Sequence, residues 1–160
     1  MQRFERIYGE HLDAVRAYVR RRAPDSDVDD VVADVFLVCL RRIGDVPEPP
    51  LPWLYAVARK TLANERRKRS RAAPLVPGLE YEPAPVGDSA LAAAFAELSE
   101  SDREVLRLVA WEGLSLRDAA RTLECSAVAA RVRYHRARAR LAARLDAAAS
   151  FRPEPKGATR

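Results

Sequence analysis

The residues of this sequence whose type and spacing most clearly indicate a binding function are arginines. They are concentrated between Ala127 and Leu145, a segment that contains no acidic residue. Guanidinium groups bind the phosphates and the base edges of nucleic acids. The alternative is a solvated arginine-rich surface helix, but such a helix usually mixes charges of both signs. The segment therefore favours DNA binding.

A second group of residues that could bind a ligand or act chemically is acidic. Its members are Asp25, Asp27, Asp29, Asp30 and Asp34. Carboxylates can bind Mg²⁺, so a metal-dependent nuclease is one alternative. No His, Lys or Gln accompanies them for proton transfer, and the cluster instead suggests a docking or solvated face. No cofactor or metal is expected, because the cysteines and histidines lack the close spacing of a zinc site; they are Cys39, Cys125, His11 and His135.

The arginine segment follows a helix-turn-helix pattern. Ser115 is expected to cap a first helix over Leu116 to Leu123, with Asp118 as its capping-box partner, and Ser126 to cap a second. The second helix would run from Ala127 to Leu145, roughly 28 Å. We expect its inward face to carry Val128, Val132 and Leu141.

Three helices are expected before this motif. Apolar periodicity predicts one over Gln2 to Arg22 and a second with an acidic beginning and Val28 to Ile43 on its face. A Pro-rich loop, Gly44 to Pro52, leads into a third, Trp53 to about Ser70. That helix presents a second basic stretch, which fits the net charge of +5 and an anionic partner.

The remaining segments divide the chain. Pro and Gly residues without periodicity mark residues 72–89 as a flexible linker between residues 1–71 and residues 90–145. Two further short helices precede the helix-turn-helix, and residues 146–160 are expected to be a disordered tail. The fold class is all-α, with a three-helix and a four-helix domain. The cysteines are expected to be buried thiols of a cytoplasmic protein without membrane insertion.

The ordered combination of motifs resembles a known family. DVDDVVADVFLVCLRRI, PWLYAVARK with ERRKRSR, the Pro-rich linker and LSESDREVLRLVAWEGLSLRDAARTLECSAVAARVRYHRARARL together look like an extracytoplasmic-function (ECF, group IV) sigma factor of the sigma-70 family. The resemblance covers about Phe4 to Leu145. It implies a region-2 domain followed by a region-4 domain. Departures include Glu124 where the family has Gly, and Ala129-Ala130 where Thr-Val is common.

The resemblance also implies three sets of site residues. The second helix would bind core RNA polymerase through Asp30, Val31, Asp34, Val35, Phe36 and Leu37. The third helix and the loop before it would bind the minus-10 element and an unstacked base, through Trp53, Arg59, Lys60, Asn64, Arg66 and Arg67. The last helix would enter the major groove of the minus-35 element through Ser126, Ala127, Val128, Ala129, Arg131 and Arg133, with Arg136 and Arg138 on phosphates.

Two of these assignments have structural alternatives. A tryptophan at a helix start, such as Trp53, is more often part of a core, and Asp30 and Asp34 could simply be solvated helix acids.

The implied function is that of a promoter-specificity subunit rather than an enzyme. Its expected partners are core RNA polymerase, promoter DNA and an anti-sigma factor. The alternative is a helix-turn-helix repressor or activator that acts without core polymerase.

Overall fold

The computed structural model describes residues 1–23, 27–72 and 89–150, which form helices and no strand. The predicted all-α class is therefore confirmed. The helices are α1 (Gln2–Arg22), α2 (Val28–Arg41), α3 (Leu51–Ala72), α4 (Ser89–Ala96), α5 (Glu100–Ala110), α6 (Leu116–Thr122) and α7 (Ala127–Ser150). Nearly all of the predicted linker and residues 151–160 of the predicted tail lie outside the described residues. The tail prediction was wrong for residues 146–150, which continue α7.

Side-chain caps set the beginnings of four helices. The Ser99, Ser115 and Ser126 hydroxyls accept hydrogen bonds from backbone N–H groups three residues on, at 3.1–3.2 Å, and the Asp27 carboxylate does the same at 3.2 Å. Each such cap stabilises a helix by about 1 kcal/mol. The two caps predicted for the helix-turn-helix are thus present, and they separate α6 from α7.

Helices α1, α2 and α3 pack together as the first unit. The Tyr18 ring stacks on Tyr55 with centroids 4.6 Å apart, and Phe36 packs edge-on against Tyr8 at 4.8 Å. Tyr18 and Tyr55 are both buried. These aromatic contacts join α1 to both other helices, and they fix the relative positions of α2 and α3.

Helices α4 to α7 form the second unit, in which α7 packs on α4, α5 and α6. The face of α7 that packs inward carries Ala130 and Ala137, both fully buried, with Leu141 partly buried against the core. The expectation that Val128 and Val132 face inward was wrong. They are 72% and 41% exposed, because they lie on the side of the helix opposite Ala130.

The two units are in direct contact. Helix α3 packs against α6, and the buried Thr122 hydroxyl donates a hydrogen bond to the Pro52 carbonyl oxygen at 3.0 Å. The buried apolar side chains form one continuous cluster that extends from Ile7 in α1 to Ala137 in α7. The helix that would bind the minus-10 element therefore lies against the first helix of the helix-turn-helix.

Candidate nucleic-acid interface

The turn between α6 and α7 is tight. Glu124 adopts a φ of 52°, the left-handed conformation that glycine usually supplies. The Cys125 N–H donates to the Ala120 carbonyl oxygen at 3.0 Å, which closes the turn. Cys125 itself is only half-buried, so the prediction of a buried thiol holds for Cys39 and was wrong for Cys125.

The N-terminal half of α7 presents a basic surface. Arg131, Arg136 and Arg138 are exposed, whereas Arg133 is half-buried. Of the other residues predicted to contact DNA, Ser126, Ala127 and Val128 are exposed and Ala129 is half-buried.

Further along α7 the arginines hold the second unit together. Arg140 pairs with the buried Asp102 at 2.5 Å, and Arg144 pairs with Glu97. The free cationic surface of α7 is thus confined to its first half.

Helix α3 carries a second basic surface. Its members are polar or cationic and all exposed; they are Arg59, Lys60, Asn64, Arg66 and Arg67. Lys60 is paired with Glu124 of the helix-turn-helix turn at 2.5 Å. Trp53, the aromatic residue expected here, is half-buried and packs against the core. Its position agrees with the alternative that a helix-start tryptophan supports the core.

The loop before α3 is fixed by the first helix. The Arg3 guanidinium donates hydrogen bonds to the Ile43 carbonyl oxygen at 2.8 Å and to that of Val46 at 2.5 Å. Val46 is buried. Such anchoring holds the exposed residues of the loop, Gly44, Asp45 and residues 47–49, in a defined position beside α3. The sequence did not reveal this role of Arg3.

The predicted polymerase-binding residues on α2 fall into two groups. Asp30, Asp34 and Leu37 are exposed, and Leu37 is 47% exposed. The side chains that pack inward are Val31, Val35 and Phe36. The exposed residues alone form a surface, which we call the α2 face, and the buried ones support it.

A groove of about 560 Å³ is lined by residues of both α2 and α3. Asp34 and Leu37 line one side of it, and Asn64 and Arg67 line the other. The α2 face therefore adjoins the basic surface of α3 along one edge.

A buried charge cluster lies between the two units. Arg22 of α1 binds Glu104 through Nε at 2.9 Å and Glu112 through Nη1 at 2.8 Å, and these three side chains are 5%, 7% and 2% exposed. Tyr18 donates a hydrogen bond to Glu104 at 2.9 Å, and Arg21 pairs with Glu112 from the exposed side. The sequence suggested only a basic end of α1, because the acidic partners are distant in the chain.

This burial changes the pKa values of the cluster. Burial, followed by the charge of Glu104, raises the pKa of Tyr18 well above its usual value. Burial alone would lower the pKa of Arg22, but interactions with Tyr18, Glu104 and Glu112 outweigh it, so the net pKa is raised. The cluster thus holds a permanent positive charge between two carboxylates.

The acidic beginning of α2 has structural contacts. Asp27 caps the helix, and Asp29 pairs with Arg16 at 3.1 Å. Among residues 1–23, 27–72 and 89–150, no three Asp, Glu, His or Cys side chains come together as metal ligands would. Asp25 lies outside these ranges.

Together, these features define a helical DNA-binding protein with two exposed basic surfaces, one of them on a helix-turn-helix. The sigma-70 region 2 family matches residues 7–72, and the sigma-70 region 4 family matches residues 88–141. The ECF RNA polymerase sigma factor EcfG of Rhodopseudomonas palustris is 30% identical over 156 residues, which cover 89% of this chain and 86% of EcfG.

Solved structures agree with these matches. CnrH in complex with the cytosolic domain of CnrY has a TM-score of 0.63 and 28% identity, over 92% of this chain and 90% of CnrH. The sigma factor RpoE in complex with the anti-sigma factor NepR, from Bartonella quintana, shows the same fold, with a TM-score of 0.66 and 24% identity over 91% of this chain and 98% of RpoE. The chain belongs to the ECF sigma factors of RNA polymerase, within the sigma-70 family.

None of the helices in the described part of the chain is long and apolar enough to cross a membrane.

Proposed function

We propose that this sigma factor uses three separate binding surfaces. The α2 face binds core RNA polymerase, the basic surface of α3 binds the minus-10 element, and the first half of α7 binds the minus-35 element. The observation that carries the proposal is the presence of two exposed basic surfaces on different helices, beside one acidic and apolar surface. Residues 1–71 and 90–145 act as the two binding domains. The protein acts in the cytoplasm as a regulatory subunit, and catalysis belongs to the polymerase.

The α2 face suits a protein partner better than DNA. Asp30 and Asp34 would repel phosphates, whereas the exposed part of Leu37 offers apolar surface to a partner. Protein interfaces commonly combine an apolar centre with a charged rim. Because the groove beside Asp34 leads directly to Asn64 and Arg67, a polymerase bound on α2 would bring DNA against α3.

The basic surface of α3 suits a strand with exposed bases and phosphates. Cations along a groove follow a nucleic-acid backbone. Lys60 is available to DNA only when its exposed ion pair with Glu124 breaks, and such a pair contributes little stability in water. Trp53 supports the helix from inside rather than offering its ring to a base.

The first half of α7 suits duplex DNA. It begins at a capped turn, as the recognition helix of a helix-turn-helix does. Its exposed Arg131, Arg136 and Arg138 have no acidic neighbour between Ala127 and Leu145 with which to pair. Arg131 lies near the N-terminal end, where base edges are reached. Arg136 and Arg138 lie further along, where they would contact phosphates.

We also propose an anti-sigma factor as a regulatory partner. Support comes from the similar structure in which RpoE is bound to the anti-sigma factor NepR. Such a partner would act by covering the α2 face, because this surface must be free for core polymerase to bind.

The test compares two variants. Asp34→Ala with Leu37→Ala should weaken binding to core polymerase about tenfold, the effect of losing about 1.4 kcal/mol of contacts, and leave binding of α7 to upstream duplex unchanged. The matched control is Asp13→Ala, which removes an exposed acid from α1 and should change neither. Equal loss of both activities in the double variant would contradict the division of surfaces. Duplex binding by the wild type without any binding to core polymerase would favour a regulator that acts without polymerase.

A further inference from the structure

The outer side of α7 carries an apolar pair that the fold does not use. Val128 is 72% exposed and Val132 is 41% exposed. They are four residues apart, so their side chains lie one above the other on the same face of the helix. Neither residue belongs to the core cluster or packs against it.

Folding does not explain this choice of residues. A β-branched side chain lowers helix propensity slightly and gains nothing from exposure. The inward contacts of α7 are made instead by small buried residues such as Ala130 and Ala137. The pair is therefore accessible to a bound partner, at the N-terminal part of the recognition helix.

The surroundings of the pair suit DNA. Arg131 and Arg136 flank it on the exposed surface, and the helix has no acid between Ala127 and Leu145. A cationic rim around an apolar strip favours a polyanion over an apolar protein helix, which would leave those charges unpaired. This part of the inference rests on the proposed binding of α7 to the minus-35 element.

The polar residues that usually read bases are scarce on this surface. After Ser126, the exposed positions near the helix start are Ala127, Val128, Arg131 and Val132. Only arginine can donate hydrogen bonds there, and it favours guanine. The apolar group that the major groove offers is the C5-methyl group of thymine.

We propose that Val128 and Val132 read thymine methyl groups in the minus-35 element, and so set the positions of A·T pairs beside the bases contacted by Arg131. Each methyl group buried between a valine and the groove should contribute about 0.8 kcal/mol, or roughly a fourfold change in affinity. Val132 thereby becomes a specificity residue, a role that the sequence pattern had not given it.

The test removes the methyl group from the DNA and the valine from the protein. The upstream element is first selected from random duplexes by holoenzyme, made from this chain and core polymerase, with the downstream element kept constant. Each thymine of the selected element is then replaced by deoxyuridine, one at a time. The affinity of the holoenzyme for each duplex is measured by fluorescence anisotropy.

We expect at least one deoxyuridine substitution to weaken binding roughly fourfold. Val128→Ala or Val132→Ala should weaken binding to thymine-containing DNA by a similar factor and abolish the effect of that substitution. Leu91→Ala, which removes from α4 an aliphatic side chain about as exposed as Val132, should preserve the effect of the deoxyuridine substitution. Alanine is the better helix former, so these variants should fold.

Three results would overturn the inference. Selective binding that no deoxyuridine substitution weakens would refute thymine reading while leaving the proposed function intact. A valine variant that keeps its sensitivity to deoxyuridine but loses affinity for core polymerase would identify the pair as a protein contact. Holoenzyme that selects no upstream sequence at all would refute the proposed function together with this inference.

Discussion

Replacing Arg22 with methionine should separate the two units of this sigma factor without unfolding them. Arg22→Met keeps most of the aliphatic stem but leaves Glu104 and Glu112 buried without their main cation. Breaking a buried ion pair from one side costs roughly 3–5 kcal/mol. The carboxylates can escape that cost by regaining water, and the shortest route to water is opening of the contact between the units.

The free-energy cost of removing the Arg22 guanidinium is comparable to the free energy that would hold the two units together. If residues 73–88 act as the predicted flexible linker, the two units meet at an effective concentration on the order of millimolar. If the contact alone had a micromolar dissociation constant, the closed form would be favoured by about 4 kcal/mol. A loss of 3–5 kcal/mol would then leave the chain between a roughly fivefold preference for the closed form and a roughly fivefold preference for the open one.

Small-angle X-ray scattering and circular dichroism together measure this outcome. The variant should have a larger radius of gyration than the wild type, with unchanged helix content. Arg21→Met is the control, since Arg21 is 39% exposed and Glu112 keeps Arg22 as its partner; it should cost below about 1 kcal/mol and stay compact. An Arg22→Met protein as compact and as stable as the wild type would refute the reasoning, and loss of helix would show that Arg22 holds its own unit together.

Three further predictions follow from single residues. Burial, and then the charge of Glu112, raises the pKa of Tyr55 from 10.0 to about 12, so the free energy of unfolding should fall as pH rises through that interval, and Tyr55→Phe should remove part of the fall. Alkaline denaturation monitored by circular dichroism would show it; an equal slope in both proteins would contradict it. Arg138→Ala should reduce the slope of log affinity against log salt by roughly 0.9, the value for one lost phosphate contact, with base preference unchanged. A thiol reagent should modify Cys125 rapidly in the folded protein and Cys39 only on unfolding, since burial raises the pKa of the Cys39 thiol; a single fast phase for both would be inconsistent with its burial.

Local features were predictable from the sequence because their causes are local. The caps at Ser115 and Ser126 act within three residues, and they set helix beginnings as expected. Apolar periodicity likewise located α1 and α2, whose buried residues are large and regularly spaced.

Apolar periodicity did not identify the inward face of a helix that carries small apolar residues on several faces. Helix α7 has alanine or valine on nearly every side, so periodicity could not distinguish the inward Ala130 from the outward Val128. Only the packing of α7 on α5 and α6 distinguishes the two faces, because it buries Ala130 and Ala137 completely. On α2 the family resemblance grouped Val35 and Phe36 with Asp34 as polymerase contacts, and the structure places these two side chains on the buried side of the helix.

The contact between the two units could not be predicted at all. Arg22 finds Glu104 and Glu112 some 82 and 90 positions away, and nothing near these residues in the sequence marks them as partners. Arg22 stands in a run of arginines that suggests an exposed basic helix end. Arg22 is buried because the second unit, with Glu104 and Glu112, packs against it.

Transcription with purified components tests the central claim most directly. The wild-type chain is added to core RNA polymerase and a library of genomic promoter fragments, and the run-off transcripts are sequenced. We expect transcripts that begin downstream of one shared pair of sequence elements, and we expect their loss with the Asp34→Ala and Leu37→Ala double variant. Absence of any promoter-specific transcript, together with no complex between the chain and core polymerase on a sizing column, would contradict it.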